Sequence, residues 1–236
     1  MTLDRRASGA GARVRTVGGA ALGGMVLALV LSGCGGGHPL PPSPPAARPS
    51  SSVVLSNVTW HCRSRVDLAL VRITLHGQSM DAVHLDRGCQ GTIGRLEIVG
   101  DGGRVGPGGD AVKVHDGAHD LRILGGTIDC GKKAPHKHQD AIQAMGGNNV
   151  IFENIGSRYC ANSFMFINSG RNRRGLPTQV QCIRCTAATR NYSIFVGRSI
   201  DSGAQRSSFS SRVPPRTTAS AVRAVLQNNE WTRRPS

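Results

Sequence analysis

Apolar and polar positions alternate at period two in a five-residue phrase that returns along the chain. It reads Asp81-Ala82-Val83-His84-Leu85, then Asp110-Ala111-Val112-Lys113-Val114, then Asp140-Ala141-Ile142-Gln143-Ala144. Two looser copies follow, Ser163-Phe164-Met165-Phe166-Ile167 and Tyr192-Ser193-Ile194-Phe195-Val196, so the starts lie 29, 30, 23 and 29 residues apart. Alternation over so few residues predicts a short strand with one buried face. A near-constant period of this size, with no helical pattern between copies, predicts strands stacked once per turn of a β-solenoid. Val83/Leu85, Val112/Val114, Ile142/Ala144, Met165/Ile167 and Ile194/Val196 share one parity and are expected to form aliphatic rows that no single repeat could build. The other parity is expected to face outward, with Ala82, Ala111, Ala141, Phe164 and Ser193 beside His84, Lys113, Gln143, Phe166 and Phe195.

A second strand is expected after each phrase, at Leu96-Glu97-Ile98, Leu121-Arg122-Ile123, Val150-Ile151-Phe152 and Val180-Gln181-Cys182. A third is expected at Gly126-Thr127-Ile128 and Asn154-Ile155-Gly156. Gly146-Gly147 and Asn148-Asn149 suit corners that need positive φ. Three strands per turn predict an all-β fold, a right-handed parallel β-helix of five to six coils over residues 53–200. Residues 57–60 and 66–75 would form its first coil. After Ser199 the pattern dissolves into Ser/Arg-rich sequence, and residues 201–236 read as a basic tail. Ala221, Val222, Val225 and Leu226 at helical spacing predict a helix within Ser220 to Trp231 that caps the open end.

The ends of the chain set the compartment. Arg5, Arg6, Arg13 and Arg15 precede a short apolar run from Val17 to Leu31, so residues 1–33 read as a signal peptide rather than a membrane span. Leu31-Ser32-Gly33-Cys34 resembles the lipobox of bacterial lipoproteins, which implies lipidation of Cys34 and a lipid anchor on the cell membrane. Residues 34–52 are rich in Gly, Pro and Ser and predict an extended tether. Six further cysteines, Cys62, Cys89, Cys130, Cys160, Cys182 and Cys185, suit disulfides in an exported protein. Cys62/Cys89 and Cys130/Cys160 are each about one repeat apart. The pairing is otherwise open, since six cysteines allow roughly 15 connectivities. Cys182-x-x-Cys185 has redox or zinc chemistry as its alternative to bridging.

Charge narrows the partners. The formal net charge is +15 with a pI near 10.9, and residues 1–33 carry four arginines and one aspartate, so the remainder is still near +12. Such a field favours acidic polysaccharide or another anionic cell-envelope polymer. Few aromatics and export argue against nucleic acid, and a monomer is expected. The alternative is that the arginines only solvate the surface.

Gly109-Asp110-Ala111-Val112 and His138-Gln139-Asp140-Ala141-Ile142-Gln143, followed by Gly146-Gly147-Asn148-Asn149-Val150, give residues 53–199 a resemblance to the pectate-lyase-like superfamily of right-handed β-helices. That group includes polysaccharide lyases and polygalacturonase-type glycosidases. The resemblance implies that the stacked carboxylates of Asp81, Asp110 and Asp140 either act as acid and base or gather Ca2+, with Lys113 or Lys137 as base or clamp. Substrate contacts are then expected from His84, Gln143, Arg122 and Phe166. The Gly-His-Gly and Arg-Ile-Lys motifs of the polygalacturonases are absent, as is a dense lyase-type calcium cluster. An aspartate that caps a turn by accepting backbone N–H groups is the competing role for this row. His136, His138 and Asp140, with His115 from the previous repeat, form a candidate zinc set. Two functions stay open at this stage. One is a surface-anchored domain that binds and cleaves an acidic polysaccharide; the other is a non-catalytic envelope lipoprotein for adhesion or scaffolding.

Overall fold

The register of the recurring phrase decides the architecture. In the computed structural model, which describes residues 51–75, 79–100, 104–105, 110–131, 139–169 and 175–234, the strands Trp60–Cys62, Val83–Leu85, Val112–Val114, Ile142–Ala144, Ser163–Ile167, Tyr192–Val196 and Arg216–Thr217 form one seven-stranded sheet. Every neighbouring pair is parallel, and each strand joins the corresponding strand one repeat away. Val83, Val112, Ile142, Met165 and Ile194 lie in one line, and Leu85, Val114, Ala144, Ile167 and Val196 in another. All ten are fully buried. Burying each larger aliphatic side chain contributes about 1.5–3 kcal/mol, which a lone repeat with one exposed edge could not obtain.

A second, 15-stranded sheet carries two further tracks of parallel strands. The long strand Gln90–Val99 belongs to both. Its first half pairs Gly91 with Leu121, continuing to Val150 and Val180, and its second half pairs Ile98 with Ile128, continuing to Ser157. Leu96-Glu97-Ile98 therefore lies in the third track, not beside Leu121-Arg122-Ile123 as the sequence reading placed it. Its greater distance from the preceding phrase, 15 residues against 11 for Leu121, is the physical reason. Corners between tracks recur at left-handed, non-glycine residues: Asp120, Asn149, Gln179, Asp201 and Arg223 at one, Asn154, Arg184, Arg206 and Asn228 at the other.

Six strands of the seven-stranded sheet lie within residues 53–200, where five to six layers are expected, and the seventh, Arg216–Thr217, adds one beyond them. Two expectations change. The opening strand of that sheet starts at Trp60, because Asn57 turns a corner with φ of 52°. The chain beyond Ser199 is not a capping helix. Ala221–Val222 pairs in parallel with Ser199–Ile200, Val225–Gln227 with Gly203–Gln205, and Glu230–Arg233 with Ser208–Ser211. The left-handed Arg223 and Asn228 break any helical path, and parallel pairing satisfies backbone groups that a covering helix would leave open. Two short strands joined at a corner also space apolar residues much as a helix does, which is why the pattern misled.

All described residues fall within one unit, Ala46–Ser236, and no helix occurs among them. The fold is thus all-β with parallel strands in stacked sheets, an arrangement compatible with a solenoid. The signal segment, Cys34 and almost all of the Pro-rich tether lie outside the described residues.

Candidate functional site

The outward parity of the seven-stranded sheet forms a single column. His61, His84, Lys113, Gln143, Phe166, Phe195 and Arg216 are direct register partners in that order, so neighbouring side chains are separated by about 4.8 Å along the stack. The companions expected beside them do not face outward. Ala82, Ala111, Ala141, Phe164 and Ser193 are at most 1% exposed. Ala82, Ala111 and Ala141 sit at the bend leading into their strands, where alternation fails and two successive residues turn inward.

The three aspartates are brought together as the phrase register requires, but their oxygens serve the backbone. Asp81 Oδ1 accepts the N–H of Asp110 at 2.7 Å, and Asp110 Oδ1 accepts the N–H of Asp140 at 2.9 Å. Asp140 Oδ1 accepts the N–H of Ser163 at 2.9 Å, the Asn162 amide at 2.8 Å and the Ser163 hydroxyl. Each carboxylate thus fastens the entry to the next strand. Asp110 and Asp140 are only 2% and 0% exposed, out of reach of a polymer on the surface.

Electrostatics differentiate the row. Burial raises the pKa of Asp81, but hydrogen bonds from His84, Lys113 and the Asp110 amide outweigh it and hold the carboxyl at about 2. Lys113 Nζ lies 2.9 Å from Asp81 Oδ2 and 3.7 Å from Asp110 Oδ2. At Asp110 burial dominates, and the charges of Asp140 and then Asp81 add to it. The Asp140 amide and Lys113 pull the other way without prevailing, so the carboxyl is pushed up to about 7. Calcium requires about six to eight oxygen ligands. Here the Oδ1 atoms are hydrogen-bonded to backbone amides and the Lys113 ammonium already neutralises the opening between Asp81 and Asp110, so this donor set does not fit a hard cation.

At one end of the column the side chains are ionic. His84 Nε2 is 2.9 Å from Asp81 Oδ2, His61 Nδ1 is 2.8 Å from Asp86 Oδ2, and Arg63 Nε reaches Asp86 Oδ2 at 3.3 Å. The His61 and His84 rings meet edge to face at 4.7 Å, and the His84 and His115 rings at 4.9 Å. Burial opposes the ionised form of Asp86, yet His61 and Arg63, with His115 nearby, bring its pKa below the usual carboxylate value. At the other end the rings of Phe166 and Phe195 stack at 4.7 Å with an interplanar angle of 8°, and Tyr192 meets Phe195 edge-on.

Other expected site residues lie elsewhere. Arg122 stands on the 15-stranded sheet, where its guanidinium pairs with Glu153, which also holds Arg184 at 3.0 Å; it is not part of the column. Lys137, His136 and His138 lie outside the described residues. Asp140 is hydrogen-bonded inside the corner, and His115 faces His84 and Asp86. The cysteines pair as Cys62–Cys89, Cys130–Cys160 and Cys182–Cys185. The first two link equivalent corners of adjacent repeats, and the third closes Cys182-x-x-Cys185 as a bridge. A shallow groove on the 15-stranded sheet, lined by Thr127, Asp129, Ser157, Arg158 and Thr186, holds no pair of acid and base beyond the Asp129–Arg158 ion pair.

Sequence reasoning missed His61, Arg63 and Asp86. The available signal was Trp60-His61-Cys62, which repeats the parity of Val83-His84-Leu85 one 23-residue repeat earlier but lacks the leading aspartate. No protein-family model, curated protein or solved structure matches the chain.

Proposed function

We propose that the chain is a lipid-anchored, extracytoplasmic binding module whose sheets wind as a right-handed β-helix of pectate-lyase-like type, and whose outward column holds an acidic polysaccharide without cleaving it. The observation that carries the reading is the stacked Phe166–Phe195 pair in register with Gln143 and Lys113. The two rings cover each other's faces and present an apolar edge to the column, against which the C–H groups of a sugar ring can pack. The Gln143 amide offers both donor and acceptor to hydroxyls, and the exposed Arg216, next in register after Phe195, supplies a charge for a uronate carboxylate. A net charge near +12 beyond residue 33 draws a polyanion to the surface. The Cys34 lipid would keep the module at the membrane as a monomer, away from nucleic acid.

A catalytic version of the same site has one specific observation in its favour. Asp110 holds its proton near neutrality beside Lys113, as an acid catalyst must. Its burial and that of Asp140 favour binding without turnover.

The test is retention of the chain in affinity gels containing polygalacturonate or alginate, with dextran as the neutral control. Retention on the uronans is expected, falling at higher salt, and Phe166→Ala or Phe195→Ala should each weaken it about tenfold, the loss of one stacked ring. Retention unchanged in both variants, or none on any uronan, would refute the reading. New reducing or unsaturated ends that disappear in Asp110→Asn would establish the catalytic version instead.

A further inference from the structure

The ionic end of the column has a donor set that polysaccharide binding does not use. We propose that His61, His84 and Asp86 form a site for a divalent transition metal of the zinc class. One ligand atom from each lies within 4.8 Å of the other two, and His61 Nδ1 and Asp86 Oδ2 are already 2.8 Å apart. Tetrahedral coordination with bonds of about 2.0–2.1 Å places ligands roughly 3.4 Å from one another, so small rotamer changes at three side chains close the site. Two imidazoles and a carboxylate select zinc, copper or nickel over calcium or magnesium.

Three features beyond proximity support a built site. Asp81 Oδ2 contacts His84 Nε2 at 2.9 Å. A carboxylate in that place fixes the tautomer with the proton on Nε2 and leaves Nδ1 free to ligate, the carboxylate–histidine–metal relay of outer-shell design. His115, with Nε2 3.8 Å from Asp86 Oδ1 and its ring 4.9 Å from that of His84, stands where a fourth ligand would come from. The scaffold is stiff, because His61 and His84 are register partners on paired strands and the Cys62–Cys89 bridge adjoins both His61 and the corner after Asp86. The Arg63 guanidinium, the cation now at Asp86, is 69% exposed and can swing into solvent at little cost. The inference does not rest on the polysaccharide reading.

The test is titration of the purified full chain with Co2+, followed by its visible ligand-field bands and by competition with Zn2+, in a background of Cys34→Ser, His38→Ala, His76→Ala, His119→Ala, His136→Ala and His138→Ala that removes the histidines outside the cluster and the cysteine outside the three bridges. One equivalent is expected to bind, and to raise the melting temperature by linkage. His61→Ala and His84→Ala should each weaken binding by about 100-fold or more, and Asp81→Asn by about 10–100-fold with the stoichiometry unchanged. His84→Gln, with circular dichroism as the check on folding, repeats the test with a side chain of similar bulk. No uptake by the parent chain, or uptake that His61→Ala and the His84 variants leave unaltered, overturns the proposal.

Discussion

Replacing Asp110 with asparagine should make this protein more stable at alkaline pH and remove most of the pH dependence of its unfolding between about 4 and 7. The folded carboxyl is pushed from 3.8 to about 7, first by burial and then by the charge of Asp140. In the unfolded chain the same group ionises near 3.8. A raised folded pKa means that the stabilising contribution is complete below the unfolded value and disappears as pH climbs through the folded one. About three pKa units at 1.36 kcal/mol each give a loss on the order of 4 kcal/mol by pH 8. Asparagine retains the oxygen that accepts the Asp140 N–H at 2.9 Å but never ionises. The Lys113 attraction at 3.7 Å is already contained in the folded value of about 7. The net expectation is a variant on the order of 4 kcal/mol more stable than the parent at pH 8 and little more stable at pH 4. Urea unfolding of both proteins, at half-unit steps from pH 4 to 8.5, measures it. Parallel stability profiles across that range would show that Asp110 is already ionised in the fold, and would refute both the burial argument and the proton it assigns.

Two further outcomes follow from the backbone and the bridges. Gly126 has φ of +143°, and a Cβ there would overlap the Leu96 carbonyl oxygen, whereas at Gly125 the nearest atom to a Cβ is Gly94 O at 3.8 Å; Gly126→Ala should therefore destabilise by about 3 kcal/mol or more and Gly125→Ala by less than about 1, both read from urea midpoints. Cys130–Cys160 closes a separation of 30 residues, so the double Cys130→Ala/Cys160→Ala variant should lose about 3–4 kcal/mol, and thermal unfolding with and without reductant should show the parent converging on the variant when reduced.

What was legible in the sequence, and what was not, divides along physical lines. The aliphatic pairs Val83/Leu85 to Ile194/Val196 announce themselves because burial at period two leaves few alternatives. The two longer bridges were readable for a similar reason, since Cys62/Cys89 and Cys130/Cys160 keep the repeat spacing. Past Ser199 the repeat contracts, as the 22-residue steps from Asp201 to Arg223 and from Arg206 to Asn228 show, and its interior switches to hydroxyls. Ser202 and Ser207 are buried and accept the N–H groups of Val180 and Cys185, so no apolar alternation remains to be seen. The inward turn of Ala82 and Ala111 was hidden because a bend at the strand entry obeys backbone geometry rather than side-chain parity. The histidine cluster escaped because Trp60-His61-Cys62 enters its sheet without an aspartate.

The same register that hid those details explains why the aspartates and the column divide their work. An inward-leaning carboxylate at each strand entry can reach the next amide only if the repeats superpose, so Asp81, Asp110 and Asp140 lock the stack at the cost of their own accessibility. Burial raises the Asp110 carboxyl, whereas Asp81, compensated by His84 and Lys113, stays strongly acidic. The outward column is ionic at His61, His84 and Lys113, neutral at Gln143, apolar at the paired rings of Phe166 and Phe195, and cationic again at Arg216. On the proposed reading, a uronan lying on the column meets the Phe166–Phe195 pair and, beside it, the exposed Arg216. Arg216→Gln should then weaken retention on polygalacturonate several-fold at low salt while leaving thermal unfolding unchanged, and retention equal to the parent's would refute that placement of the charge.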